Sequence, residues 1–106
     1  MPANKYGAKK TEIDGFVFDS KAESRRYSEL KLLEKAGEIR DLELQPNYAI
    51  VVNKTYIAAY FSDFRYFDIT RKEIVVEDVK GMKTPVYRLK KKLVEAIYGI
   101  HIMEIT

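Results

Sequence analysis

Two aspartates and a lysine, Asp63, Asp78 and Lys80, have the types and spacing needed to hydrolyse a phosphodiester. Asp78 and Lys80 are two apart in a run rich in β-branched residues, Ile74 to Lys80, so both project from one strand face, that of Ile74 and Val76. Asp63 lies in a long aromatic segment, Tyr56 to Phe67, on the parity of Ile57, Ala59 and Phe61, where a carboxylate is costly without a cation. The polar stretch Asp68 to Lys72 turns one segment into the other, so the three residues can meet. Two carboxylates can hold a hard divalent cation that polarises a phosphate and acidifies a water. A lysine beside them can orient that water, accept its proton if its own pKa is depressed, or stabilise transition-state charge; the sequence leaves all three open. Taken alone, an acid-x-lysine triplet more often marks an exposed strand of alternating charges. The weight comes from the combination, and from the basic segment that follows it.

Around these residues the punctuation predicts the elements. Asp14-Gly15 signals a hairpin turn within Thr11 to Phe18. Ser20 as N-cap and Gly37 as stop bracket a helix from Lys21 to Ala36, whose inner face gathers Ala22, Tyr27, Leu30 and Leu33. Glu23 and Arg26 fall in the same sector. Glu23 fits either a capping box with Ser20 or a place in the site; Arg26 fits either a phosphate contact or neutralisation of Glu23. Ile39 to Gln45 is extended and mixed. Tyr48 to Val52, a turn at Asn53-Lys54, Tyr56 to Phe67 and Ile74 to Lys80 predict a three-stranded antiparallel meander. Thr84 and Pro85 open a second helix running to Tyr98, Gly99 closes it, and Ile100 to Ile105 is a last strand, paired in parallel through the crossover. Glu77 competes with Asp78 as a ligand, but parity puts it on the face opposite Lys80.

With 106 residues the chain predicts one domain over residues 11–106, preceded by a basic arm over residues 1–10 that is either loose or in contact with nucleic acid. Cysteine is absent, which excludes disulfides and thiolate metal sites, and the single His101 argues against histidine-zinc and triad chemistry. A metal here must be held by oxygen: magnesium, manganese or calcium. Nineteen Lys and Arg stand against sixteen Asp and Glu, a mild excess. Six basic residues and no acid fall between Lys80 and Lys92, however, as expected either for a polyphosphate partner or for a solvated helix face. No apolar run approaches a membrane span and no signal peptide is evident, so a cytoplasmic chain is expected.

The element order, an acid in one core strand and an acid-x-Lys in the next resemble the PD-(D/E)XK nuclease superfamily. More closely, the chain resembles small phage and bacterial proteins carrying a domain of unknown function and suspected of being Holliday-junction resolvase-like endonucleases. The segments that carry the likeness are Asn4 to Gly7, Phe18 to Glu23, Gln45-Pro46, Ser62 to Phe64, Val76 to Gly81 and Tyr98 to Ile100. The resemblance implies a restriction-endonuclease-like αβββαβ core, with a mixed central sheet flanked by helices and a short N-terminal hairpin in front. It implies Asp63 as the acid of the proline-aspartate motif, with Ser62 where proline is named, Asp78 as the variable acid and Lys80 as the lysine. Glu23 matches an acid on the first helix, expected to support the metal directly or through its water; the peptide carbonyl of Val79 is expected to complete the metal shell, and Gln45 belongs to a glutamine-proline element. Magnesium is the implied ion, with manganese as a substitute. Arg26, Lys83, Arg88, Lys90 and Lys91 are the expected phosphate contacts. Branched DNA and a homodimer are the expected partners; the alternatives are a nicking or repair nuclease on linear or mismatched duplex and a non-catalytic nucleic-acid-binding subunit.

Overall fold

A computed structural model describes residues 10–106, so the expected basic arm falls, apart from Lys10, outside the described residues. Strands β1 (Thr11–Ile13) and β2 (Phe16–Phe18) form a hairpin turned by Asp14 and Gly15, both at positive φ, 54° and 82°. That is the turn whose twist matches paired strands, and Asp-Gly tolerates it. Helix α1 (Lys21–Lys35) starts on Ser20, whose Oγ accepts the Glu23 N–H at 3.1 Å. It ends where the N–H groups of Gly37 and Glu38 turn back to the carbonyls of Glu34 and Leu33, with Gly37 at φ 80°. Strands β3 (Ile39–Leu44), β4 (Asn47–Val52), β5 (Thr55–Phe61), β6 (Phe64–Asp68) and β7 (Glu73–Val79) follow, then helix α2 (Pro85–Tyr98) and strand β8 (Ile102–Ile105). Thr84 Oγ1 accepts the Tyr87 N–H at 3.1 Å to begin α2, and Gly99 closes it in the left-handed conformation at φ 65°.

The main sheet has the order β3-β6-β7-β8, antiparallel except for the β7–β8 pair, which is parallel across the α2 crossover. Helix, three strands, helix and strand thus build the mixed α/β core expected from the sequence. The meander is not the one expected, however. The segment Tyr56 to Phe67 is two strands rather than one, broken at Ser62-Asp63. Its first part pairs with β4 in a separate two-stranded sheet, and its second part enters the main sheet between β3 and β7. The extended stretch Ile39 to Leu44, not Tyr48 to Val52, is the remaining strand of the meander.

The switch is made where two distant stretches of the chain face each other. The N–H of Gln45 donates to the Asp63 carbonyl at 3.0 Å, and the N–H of Ser62 to the Pro46 carbonyl at 3.3 Å. The chain therefore leaves and re-enters the main sheet at two facing points. Gln45 takes φ 52° there, and Pro46 has no N–H to continue the ladder. Because of the break, Asp63 does not share the face of Ile57 and Phe61, which are each 56% exposed; Tyr60 is the β5 residue that turns inward.

The sheet is covered on both faces. Tyr27 and Leu30 of α1 pack with Phe64, Tyr66, Val75 and Val79. On the other face Val94 and Tyr87 of α2 pack with Val76, Ile102 and the hairpin residues Tyr48, Ile50 and Tyr60. β7 is thus enclosed on both sides, so Glu77 and Asp78, neighbours that point to opposite faces, are both fully buried.

Candidate active site

Asp63 and Asp78 meet where β7 ends and β6 begins. Asp63 is anchored twice to β7: its N–H donates to the Glu77 carbonyl at 3.1 Å, and its Oδ2 accepts the Val79 N–H at 2.7 Å. Asp78 accepts the Tyr60 hydroxyl on Oδ2, while its Oδ1 is buried without a hydrogen-bond partner. The Lys80 ammonium lies 3.4 Å from that oxygen and 4.7 Å from the centre of the Tyr87 ring, a cation–π contact. Burial, followed by the close approach and charge of Asp78 and the charge of Glu23, pushes the Asp63 carboxyl up to about 8, against the lowering effect of the Val79 N–H. Two carboxylates in a poorly solvated place cannot both stay charged without a proton or a cation between them.

This shift fixes a sign for stability. The folded-state value of about 8 lies above the ordinary 3.8, so the proton favours the folded chain. Its contribution is fully present below the ordinary carboxylate value and is lost as pH rises through about 8. Without added metal, Tm should fall across that range, and Asp63→Asn should remove the fall; thermal unfolding followed by circular dichroism at stepped pH measures both.

Glu23, Gln45 and Asp63 line one small cavity of about 180 Å³, walled by Phe16, Phe18 and Phe64. The Glu23 carboxyl is raised by burial, then by Asp19 and Asp78, and lowered by Lys80 and the Ser20 side chain. The Glu23 carboxyl therefore feels the carboxylate pair, while its N–H is capped by Ser20. Among the described residues, no three His, Cys, Asp or Glu side chains are close enough to cage a metal ion. Of the expected roles of Glu23, support of a metal's water fits better than direct ligation. Gln45 enters the site through its backbone bond to Asp63.

Arg26 is elsewhere than expected: it does not neutralise Glu23. Its guanidinium forks onto Glu77, Nε to Oε1 at 2.8 Å and Nη2 to Oε2 at 2.7 Å, and reaches Glu29 at 3.1 Å. Tyr66 donates a further hydrogen bond to Glu77. The buried Glu77 is thereby satisfied on the α1 side, apart from Lys80, and a phosphate would have to displace it from Arg26. The hydrogen bonds to Glu77 hold the guanidinium well above its usual pKa.

The cations of α2 and of the loop before it are less free than their sequence suggests. Lys83 pairs with Glu104 at 3.1 Å, Lys91 with Glu95 at 3.6 Å, and Lys90 donates to the Ala59 carbonyl at 3.2 Å. Among the described residues Arg88 and Lys92 make no ion pair. Together Lys83, Arg88, Lys91 and Lys92 line a shallow groove of about 590 Å³ with Glu95 and Glu104. Glu104 sits beside Asp78 in the β7–β8 register and accepts the Tyr87 hydroxyl at 2.8 Å, so the groove adjoins the carboxylates. A groove of the same size on the outer side of α1, lined by Ile13, Tyr27 and Leu32, shares no residue with them. His101 is exposed and, among the described residues, has Glu95 as its one acidic neighbour, at 3.4 Å.

Tyr60 is the site residue that the sequence does not announce. Its inward turn depends on the break at Ser62, which has no local glycine or proline to announce it. Ser62 itself is fully buried with an unpartnered hydroxyl. Ser62→Ala should therefore stabilise the chain by about 1 kcal/mol, read from urea unfolding, because it removes a desolvated group that gains no bond.

The two carboxylates, one with a buried unpartnered oxygen, suit a hard cation with a largely open shell; magnesium characteristically keeps waters and takes one or two carboxylates. No helix among the described residues is long and apolar enough to cross a membrane. No curated protein and no solved structure matches the chain. One family does, over residues 3–104, which includes every residue discussed above except Ile105. The chain belongs to DUF1064, a family described as protein of unknown function.

Proposed function

We propose that this protein is a divalent-metal-dependent endonuclease of the PD-(D/E)XK type that hydrolyses DNA phosphodiesters, selectively on branched DNA. The observation that carries the reading is the Asp63–Asp78 pair, with the unpartnered Asp78 Oδ1 beside the Lys80 ammonium. Asp63, Asp78 and, as the resemblance implies, the peptide carbonyl of Val79 would hold magnesium, with manganese able to substitute. Such an ion, when bound, supplies Lewis-acid polarisation of the phosphate and a more acidic water. Lys80 places a positive charge beside the pair, where charge develops on the phosphate. Glu23, on the cavity shared with Asp63, accepts a hydrogen bond from the attacking water and orients it. Arg88 and Lys92 contact phosphates directly; Lys83 and Lys91 join by exchanging their glutamates for phosphate oxygens. Cutting two strands of a junction symmetrically requires two sites, hence a homodimer. The expected setting is the cytoplasm.

The test is cleavage of a labelled four-way junction and a matched linear duplex, with magnesium or with chelator. Junction cutting that chelator abolishes is the expected result. Equal cutting of both substrates would leave a nicking or repair nuclease. Binding of both without cutting would leave a nucleic-acid-binding subunit and overturn the enzyme. In every binding case the affinity should fall steeply with salt, because phosphate contacts release counterions; a flat response would remove nucleic acid as the partner.

A further inference from the structure

The β4–β5 hairpin stands outside the main sheet, yet it delivers two groups to the site. Tyr60 near its end bonds the Asp78 carboxylate, and the chain then leads directly into Asp63, which accepts the Val79 N–H. Residues three apart on one chain thus clasp two consecutive residues of β7. The hairpin is itself held in place: Ala59 O accepts from Lys90, Ala49 O from Tyr98 at 2.8 Å, and the Tyr48 hydroxyl from Arg65 Nη1 at 3.0 Å. Tyr60 is only 5% exposed, so its hydroxyl needs an internal partner. Its partner is one oxygen of Asp78; the other oxygen accepts no hydrogen bond and has only the Lys80 ammonium beside it, at 3.4 Å.

We infer that Tyr60 is a positioning residue, which fixes the Asp78 carboxylate so that one oxygen is occupied and the other is presented to a divalent cation. The inference rests on the reading of the carboxylates as a cation site. The competing partner for Asp78 is Lys80, which already lies within ion-pair distance of it. Its ammonium is 3.4 Å from Oδ1 without forming a hydrogen bond, and a carboxylate released from Tyr60 can turn and close on it. A closed Asp78–Lys80 pair would compete with the cation for the same oxygen. Hydrogen-bonded supports of metal ligands characteristically set affinity in this way.

The experiment titrates manganese into DNA-free protein and follows free ion by electron paramagnetic resonance. Wild type, Tyr60→Phe and Tyr48→Phe are compared, with folding checked by circular dichroism. Tyr60→Phe keeps the buried ring and should weaken manganese binding about 10- to 100-fold. Tyr48→Phe removes the hairpin's bond with Arg65 without touching Asp78, and should bind as wild type does. Adding Lys80→Met to Tyr60→Phe should restore much of the affinity. Unchanged affinity in Tyr60→Phe, or an equal loss in Tyr48→Phe, overturns the positioning role while leaving the cation site intact. If the wild type binds no manganese, the cation-site reading itself fails.

Discussion

Asp78→Asn should lower the cleavage rate by a factor on the order of 10³ while leaving the protein folded. The amide oxygen can still accept the Tyr60 hydroxyl, so the local packing survives. What is lost is the negative charge that balances a divalent cation beside Asp63. Metal-derived stabilisation of a phosphoryl transition state is worth several kcal/mol, and each ~1.4 kcal/mol is tenfold in rate. Stability should hold or rise, because a buried carboxylate with an unpartnered oxygen is removed from beside another carboxylate. Single-turnover cleavage and thermal unfolding of the same preparation separate the two effects. A rate within tenfold of wild type would take Asp78 out of the chemistry.

Arg26→Ala should produce the largest loss of stability, about 3–5 kcal/mol, by leaving the fully buried Glu77 without its cation. Tyr66 alone would then face a desolvated carboxylate. A loss of that size is a large share of the 5–15 kcal/mol typical of a domain. Equilibrium urea unfolding measures it. Replacing both partners by apolar residues, Arg26→Met with Glu77→Leu, should recover much of the loss, since no charge is then stranded. If Arg26→Ala instead unfolds like wild type and only weakens DNA binding, the guanidinium serves phosphate and not Glu77.

Much of the scaffold was legible because its signals are local. Ser20, Gly37, Thr84-Pro85 and Gly99 mark helix ends by backbone chemistry, and Asp14-Gly15 and Asn53-Lys54 mark two-residue turns at positive φ. Strand parity in β7 also separated Asp78 from Glu77 correctly, since a period of two needs no tertiary information. The missing pieces are non-local. The break at Ser62-Asp63 sits inside an unbroken aromatic pattern, and it exists because Gln45-Pro46 faces it across the sheet. With that break hidden, Asp63 fell on the wrong parity and the inward turn of Tyr60 had no signal. Arg26 and Glu77 are 51 positions apart, so helical phase could show an inward charge but not its partner. The α2 lysines looked free because their acids, Glu95 and Glu104, lie beyond the basic run.

The proposed function stands on a divalent cation held jointly by Asp63 and Asp78. Crystals soaked in manganese test it most directly, through the anomalous difference density. The expected result is a peak between the two carboxylates, within ligand distance of Asp78 Oδ1, that disappears in Asp78→Asn. A saturating soak with no density at the pair, or with manganese bound only elsewhere, would contradict it.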